Sequence, residues 1–384
     1  MPKQEPSLLD FAAYLVKDGF ALRPQEKSTF WGYRSELAAN RFSKKNWLLT
    51  IILNMTPNVL TNKSTVAGSS FIKDFKFKNG HVVPLYEVST TAAFNQLVGH
   101  AKVDNAHYGN VYYRGVNGLY DNVMPSIMRK RTSGAADDLN KILRAINEND
   151  YFKDSLKLRN TVYPQNAADY YRNKEITRFN RYCIEAVLQH YAGYTRFIDV
   201  VDNHWVAIWM GLQKFITHGR GHKYCVCQKR ELSIGALYET IKQPGCPVIE
   251  LEKGEDIYEY VMLMAMPYAS KKIDCGIIET DELVEVDLRK SLPSFYLRPH
   301  AQHALVIRRR DKQNINQTAS YYDMASQVIA ILRVRIDYAS IWLGEGTLLS
   351  QSNLFPSPSV DQGYNNLLMH DEVFSYPFEI LRYY

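Results

Sequence analysis

Residues 188–212, Leu-Gln-His-Tyr-Ala-Gly-Tyr-Thr-Arg-Phe-Ile-Asp-Val-Val-Asp-Asn-His-Trp-Val-Ala-Ile-Trp-Met-Gly-Leu, constrain the fold more than any other stretch. They change character twice. A polar turn (Gln189, His190, Tyr191, Gly193) leads into a short apolar run at Phe197 and Ile198, which Asp199 ends. Asp202-Asn203-His204 breaks the chain again and opens a segment with Val206, Ala207, Trp209 and Met210 at helical spacing. Asp202 or Asn203 is the expected N-cap, because its side-chain oxygen accepts from a backbone N–H that the first helical turn leaves unpaired. The order is turn, buried strand, cap, buried helix. A His, a Tyr, an Arg and two Asp surround the junction.

Composition narrows the class. With 384 residues the chain can bury a full core in one large domain or two smaller ones. Five Cys are too few, and odd in number, for a disulfide framework. Cys225-Val-Cys227 has no second pair at zinc spacing and fits strand alternation, so no metal is expected. The formal charge of +6 permits a phosphate-bearing partner, and Met-Arg-Lys-Arg (128–131) and Ile-Arg-Arg-Arg-Asp-Lys (307–312) are the local basic runs. Tyr, at 27, outnumbers Phe (16) and Trp (5) together. It serves either as core filler or as a surface for stacking on bases. The polar start has no apolar signal core, and Trp47–Met55 is too short to span a membrane. The expectation is a cytoplasmic protein without a membrane partner.

Along the chain, periodicity predicts helices over 7–22, 30–43 and 87–101, the last capped by Ser89 or Thr90. The run 47–55 fits helix or strand, and 58–80 alternates weakly. Strands are predicted at 110–114, where Arg114 ends the strand and Gly115 permits a tight turn or a close backbone approach, and at 224–227, 248–251, 258–266 and 304–307. A cap and helix start is expected around Pro125, Ser126 and Arg129, and helices over most of 137–188, through about His218, at 232–241 and over 323–343. A Gly-rich turn falls at 219–222. From 344 the tail is read as docked on the rest. Strands and helices without regular βαβ spacing predict an α+β fold, with mixed or antiparallel sheets flanked by helices. The expected division is 1–84, 85–311 and 312–384.

No Gly-rich phosphate loop, H-E-x-x-H, G-x-S-x-G or zinc-deaminase signature is present. Three clusters remain: Tyr112-Tyr113-Arg114-Gly115; Gln189-His190-Tyr191 through Asp199; and Arg298 with His300, Gln302 and His303. Each supplies a fixed cation, an aromatic face or a hydrogen-bonding group. Together they suit an anionic ligand carrying a ring and a ribose. Arg114 would pair bidentately with phosphate. Tyr113 or Tyr191 would stack on the ring, and Gln302 or Asp199 would hold ribose hydroxyls. The structural alternatives are an Arg114–Asp199 ion pair, a core imidazole at His190 and a strand-capping amide at Gln302.

These residues resemble a known family. Tyr-Tyr-Arg-Gly (112–115), Pro-Ser-x-x-Arg (125–129), Leu-Gln-His-Tyr-x-Gly-x-Thr-Arg-x-x-Asp (188–199) with Ala207 beyond it, and Arg-Pro-x-x-Gln (298–302) look like the FRG domain, in the family's order and over roughly 85–311. Tyr113 stands where the family has Phe, and Ala192, Tyr194 and Phe197-Ile198 where it usually has Gly, Pro and Leu-Leu. Members are mostly bacterial and phage-associated, often in defence or toxin settings. The motif order also looks like an ADP-ribosyltransferase layout, which implies such a core with N- and C-terminal additions and NAD⁺ as cosubstrate. By that resemblance Arg114 anchors phosphates or ribose. Thr195 and Tyr191 brace the nicotinamide pocket, with Tyr113, Gly115 and Arg196 beside them. Gln302 falls where such enzymes usually place a catalytic Glu. A neutral amide cannot supply the charge that an oxocarbenium-like state calls for, so Asp199 would supply it, or His190 would act as base. The resemblance implies a toxin that modifies a macromolecule, RNA before protein, held in check by an antitoxin. The alternative is an FRG module that binds nucleic acid or ligand without turnover.

Overall fold

The computed structural model describes residues 56–60, 66–129, 180–191, 195–218, 224–230, 257–311, 319–369 and 380–382, within a compact unit spanning Pro57–Tyr384. The helices expected at 7–22, 30–43 and 232–241, the run 47–55, the helical stretch 137–179, the strand 248–251 and the turns at 192–194 and 219–222 lie outside the described residues.

The strands are β1 (Ser69–Lys76), β2 (Val82–Val88), β3 (Gly109–Val116), β4 (Ile198–Val201), β5 (Gln213–His218), β6 (Tyr224–Lys229), β7 (Tyr258–Pro267), β8 (Lys271–Asp274), β9 (Ile277–Glu279), β10 (Leu283–Asp287), β11 (Ala304–Arg309), β12 (Val328–Arg335) and β13 (Ile380–Arg382). The helices are α1 (Thr91–Asn105), α2 (Ser126–Arg129), α3 (Arg181–Tyr191), α4 (His204–Gly211), α5 (Leu288–Ser291), α6 (Leu297–Ala301), α7 (Ile336–Trp342), α8 (Gln351–Leu354) and α9 (Gln362–Met369). Ten strands form one mixed sheet in the order β1-β2-β12-β7-β3-β4-β11-β10-β9-β8, and β13-β6-β5 form a second. In the large sheet β2 and β12 run parallel, and the other pairs are antiparallel. This is the α+β class, with a large mixed sheet flanked by helices. Its strands come from all three expected regions: β1 precedes residue 85, and β12 follows 312 yet lies between β2 and β7.

Several local expectations are corrected. Gln189, His190 and Tyr191 are not a turn but the last turn of α3, whose Ile184, Val187, Leu188 and Tyr191 are buried in one core cluster. Asp199 does not end its strand; it sits inside β4, paired with Val306 of β11. The helix after Asn203 stops at Gly211, and Gln213–His218 is a strand on β6. The 323–343 helix is instead β12 followed by the shorter α7. Its run Val-Ile-Ala-Ile-Leu is buried on both faces of a central strand, where continuous apolar, β-branched sequence is favoured. Glu87 belongs to β2, and α1 starts at Thr91, where the Thr90 hydroxyl accepts from the Ala93 N–H at 3.2 Å. Asn203 is the N-cap of α4 and accepts from the Trp205 N–H at 3.0 Å.

Strand alternation divides the core. Phe197, Val284, Val286, Ala304 and Val306 face α3 and α5. Ile198, Val200, Leu283, Leu305 and Ile307 face the other way, with Tyr112 and Met262. Fully burying one such aliphatic side chain contributes about 1.5–3 kcal/mol. On the second face the Tyr112 hydroxyl donates to Glu285 Oε1 at 2.8 Å, although β4 and β11 stand between their strands. Two intervening strands would hold the backbones roughly 14 Å apart in a flat sheet. The sheet therefore curls over this face.

Gly115 sets how closely α4 packs on β3. A Cβ there would lie 1.8 Å from the Ala207 carbonyl oxygen. Gly115→Ala is expected to cost more than about 3 kcal/mol or to prevent folding, because neither backbone can yield. Gly99→Ala, in α1 with nothing within 4 Å of the added carbon, is expected to stabilise by about 1 kcal/mol. Urea denaturation of both variants checks the contrast.

Glu285 gives a pH signature. Burial raises its pKa to about 7; the Tyr112 hydrogen bond opposes the rise, and the charge of Asp287 adds to it. The unfolded chain releases this proton near pH ~4.3. Stability is therefore unaffected by this group below that pH, erodes as pH rises toward 7, and is fully reduced above it. Glu285→Gln is expected to be more stable than the parent by on the order of 3 kcal/mol at pH 8, with no gain at pH 4, in paired denaturation curves.

Candidate functional site

The site lies where the large sheet is joined least. β3 pairs with β7 from Gly109 to Val116 but with β4 through one registered pair, Tyr113 with Val201. Beyond that pair the ladder stops. Arg114 bridges the opening, with Nη1 donating to the Asp199 backbone carbonyl at 2.6 Å. Burial lowers the Arg114 pKa against the attraction of Asp199, and nearby Arg129 of α2 lowers it further. Arg129 itself is exposed.

Asp199 turns its side chain toward the end of α3. Gln189 Nε2 donates to Asp199 Oδ2 at 2.6 Å, Gln189 Oε1 accepts from the Thr195 hydroxyl at 2.7 Å, and the Thr195 oxygen accepts from the Phe197 N–H at 3.1 Å. This relay fixes the amide orientation and pins the helix end to the strand. The Asp199 side chain is 46% exposed, yet its Oδ1 is buried and has no hydrogen-bond partner among the described residues. His190 Nδ1 lies 3.9 Å from Asp199 Oδ1, too long for a direct hydrogen bond, and His190 Nε2 is buried without a partner among the described residues. Burial lowers the imidazole pKa, against the pull of Asp199, so His190 is neutral at neutral pH.

The other expected residues divide. Tyr113 packs its ring edge-on to His204, 5.6 Å between centroids, and its buried hydroxyl has no hydrogen-bond partner among the described residues. Gly115 faces α4. Arg196 turns into the core: Nε and Nη2 meet Glu185 at 2.9 and 2.6 Å, and Nη1 meets Asp311 at 3.1 Å. Arg308 joins this network through Asp311. Burial opposes ionisation of Glu185, but Arg308 and Arg196 outweigh it and hold the carboxyl below its usual range. Tyr191 donates to Asp361 Oδ2 at 2.8 Å, and Asp361 also accepts from the Arg298 N–H. The Arg298 guanidinium lies over both the Tyr191 and Tyr364 rings, 4.5 and 4.4 Å from their centroids. Gln302 is buried and donates to the Leu354 carbonyl at 2.7 Å.

Arg114, Asp199, Thr195 and His190 thus meet at one junction. Arg196, Tyr191 and Gln302 are engaged with the surrounding frame. Gln189, which ties Thr195 to Asp199, was legible only as a polar residue beside His190. Asp361, some 160 residues away in sequence from Thr195, had no local signal. The basic run 307–312 is largely spent within the protein: Arg308 pairs with Asp311, and Arg309 with Glu282. Among the described residues no group of three or more His, Cys, Asp or Glu is arranged to hold a metal, and no helix is long and apolar enough to cross a membrane.

The family model of the FRG domain matches residues 109–218, from β3 through β5. No curated protein and no solved structure matches the chain.

Truncating one partner of a buried ion pair strands the other charge. Arg196→Ala and Glu185→Gln are each expected to lose about 3–5 kcal/mol of stability. Because the Glu185 pKa is depressed in the folded state, its contribution is present above the ordinary carboxylate range and is lost as pH falls below it. Denaturation at pH 7 and at pH 3 measures both effects.

Proposed function

We propose that this FRG-domain protein is an NAD⁺-dependent ADP-ribosyltransferase, with an ADP-ribosyltransferase-like core built around the β3–β4 opening. The reading is carried by one observation: the half-buried Arg114, bonded to the Asp199 backbone carbonyl, and the 46% exposed side chain of Asp199 flank the same break in the sheet. Arg114 suits the pyrophosphate of a dinucleotide. Asp199 supplies negative charge for the oxocarbenium-like ribose that forms as nicotinamide leaves. Thr195 and Gln189 hold that carboxylate in place. Neutral His190 remains available to accept a proton. Gln302 is tied to Leu354, so Asp199 takes the charged role in this proposal.

The acceptor in this reading is RNA before protein. The exposed Arg129 beside Arg114 supports approach of a polyanion. The proposed setting is a cytoplasmic toxin of bacterial anti-phage defence, neutralised by a cognate antitoxin. One observation favours a second reading, a binding module without turnover: Arg114 is already bonded to the Asp199 carbonyl, and Asp199 Oδ2 to Gln189.

Labelled NAD⁺ incubated with the protein and total cellular RNA or protein separates the two readings. Transfer of label to RNA is expected. Asp199→Asn is expected to lower it by about 10²–10³-fold with NAD⁺ binding retained, and Arg114→Ala to abolish binding. If no label enters RNA or protein and no nicotinamide is released, the enzyme reading fails.

A further inference from the structure

At the far end of β4 lies a second cluster outside the Arg114–Asp199 junction. Asp202 follows the last residue of the strand. Its Oδ1 accepts from His303 Nδ1 at 3.1 Å, and its Oδ2 takes Arg289 Nη1 at 2.7 Å. Arg289 is fixed in turn on Asp287 through Nε at 3.0 Å. Nδ1 faces Asp202 Oδ1 at 3.1 Å and the donor Arg289 Nη1 at 3.5 Å; the nearer contact is to the carboxylate, which only accepts, and it places the proton on Nδ1 and the lone pair on Nε2. Nε2 makes no hydrogen bond among the described residues, and the His303 side chain is 45% exposed. The ring is therefore oriented from behind by Asp202 and open in front, the arrangement a general base requires.

The backbone gives an independent reason to look here. His303 has φ 52°, in the left-handed region. It follows Gln302, the C-cap of α6, and its N–H returns to the His300 carbonyl at 3.3 Å. That position after a helix favours Gly, because any Cβ is crowded in this conformation. His carries the crowding, so what it offers lies in its side chain rather than in the turn.

We infer that His303, oriented by Asp202, is the acceptor-side general base of this protein, taking the proton from a ribose hydroxyl of RNA as that oxygen attacks NAD⁺. The inference rests on the transferase reading above. Val201 pairs with Ala304 and Asp199 with Val306, so His303 stands about 10 Å along the ladder from Asp199. That span separates the base from the ribose-stabilising carboxylate by room for the two reactants. The RNA oxygen forms a bond to the ribose anomeric carbon and the carbon–nitrogen bond to nicotinamide breaks. The bond pair leaves on the ring nitrogen, neutralising the pyridinium, and the hydroxyl proton passes to His303 Nε2. Arg289 and Lys290 stand beside the cluster, paired with Asp202 and Asp287.

Full-length His303→Gly removes the imidazole and relieves the left-handed crowding. Its thermal midpoint is expected to be no lower than that of the parent, and its NAD⁺ affinity unchanged, while label transfer from NAD⁺ to RNA falls by about 10²-fold or more. Added imidazole is expected to restore part of that transfer. His303→Asn, which tolerates the same backbone, is expected to lose transfer without rescue by imidazole, because the amide fills the space. Undiminished transfer to RNA in His303→Gly overturns the inference, as does a loss that imidazole fails to restore. Label entering only protein overturns the choice of an RNA hydroxyl. If the parent neither binds NAD⁺ nor releases nicotinamide, the transferase reading itself has failed; if the parent transfers label and His303→Gly does so equally, that reading stands and the role of His303 falls.

Discussion

One registered pair, Tyr113 with Val201, joins the two halves of a ten-stranded sheet. Backbone hydrogen bonds that would continue the ladder have to be replaced, because buried polar groups left unpaired cost free energy. The Arg114 guanidinium supplies one such bond to the Asp199 carbonyl. The position of α4 follows from the same junction, since Gly115 lets the Ala207 carbonyl rest directly on β3. The end of α3 follows too, because Gln189 and Thr195 tie it to the Asp199 side chain. A weak seam in the sheet is thus reinforced by side chains, and those side chains are the ones with chemistry to offer.

The polar residues of the 188–199 motif divide by the direction in which they face. Thr195 and Asp199 meet the end of α3 through Gln189, whereas Arg196 is drawn into a buried network with Glu185, Arg308 and Asp311. Tyr191 turns to Asp361 and the Arg298 stack, which brings α9 and α6 against the same helix. These buried charges are costly to remove once in place, and the Arg196–Glu185 pair is held by hydrogen bonds with a defined direction. The motif therefore specifies how α3, β4 and the C-terminal helices fit together. Only a subset of it faces the opening between β3 and β4.

Much of the fold was legible from periodicity. β3, β6 and β7, the cap at Thr90 and the start of α4 fall at or near the predicted positions, because alternation and capping are local properties. The misread segments share a cause. Residues 323–343 have an apolar pattern that fits a helix in isolation, but a central strand buried on both faces also takes a continuous apolar run. Gln213–His218 continued a helical pattern until pairing with β6 claimed it. Asp199 looked like a strand terminator because a lone sequence does not show that Gln189 will satisfy its carboxylate.

The sequence by itself determined which residues are candidates for chemistry: the Tyr-Tyr-Arg-Gly strand, the Gln-His-Tyr to Asp motif and the polar group ending at His303. Residue type and local pattern suffice for that, since charge, ring nitrogens and capping oxygens are properties of single side chains. Only the tertiary structure decided which of them meet. Asp199 serves twice, holding Arg114 with its carbonyl and Gln189 with its carboxylate. Gln302, legible as a candidate beside a ribose, is committed to Leu354, and His303 is oriented by Asp202 from another strand end. Those assignments depend on strand order and register, which long-range pairing sets and local sequence does not encode.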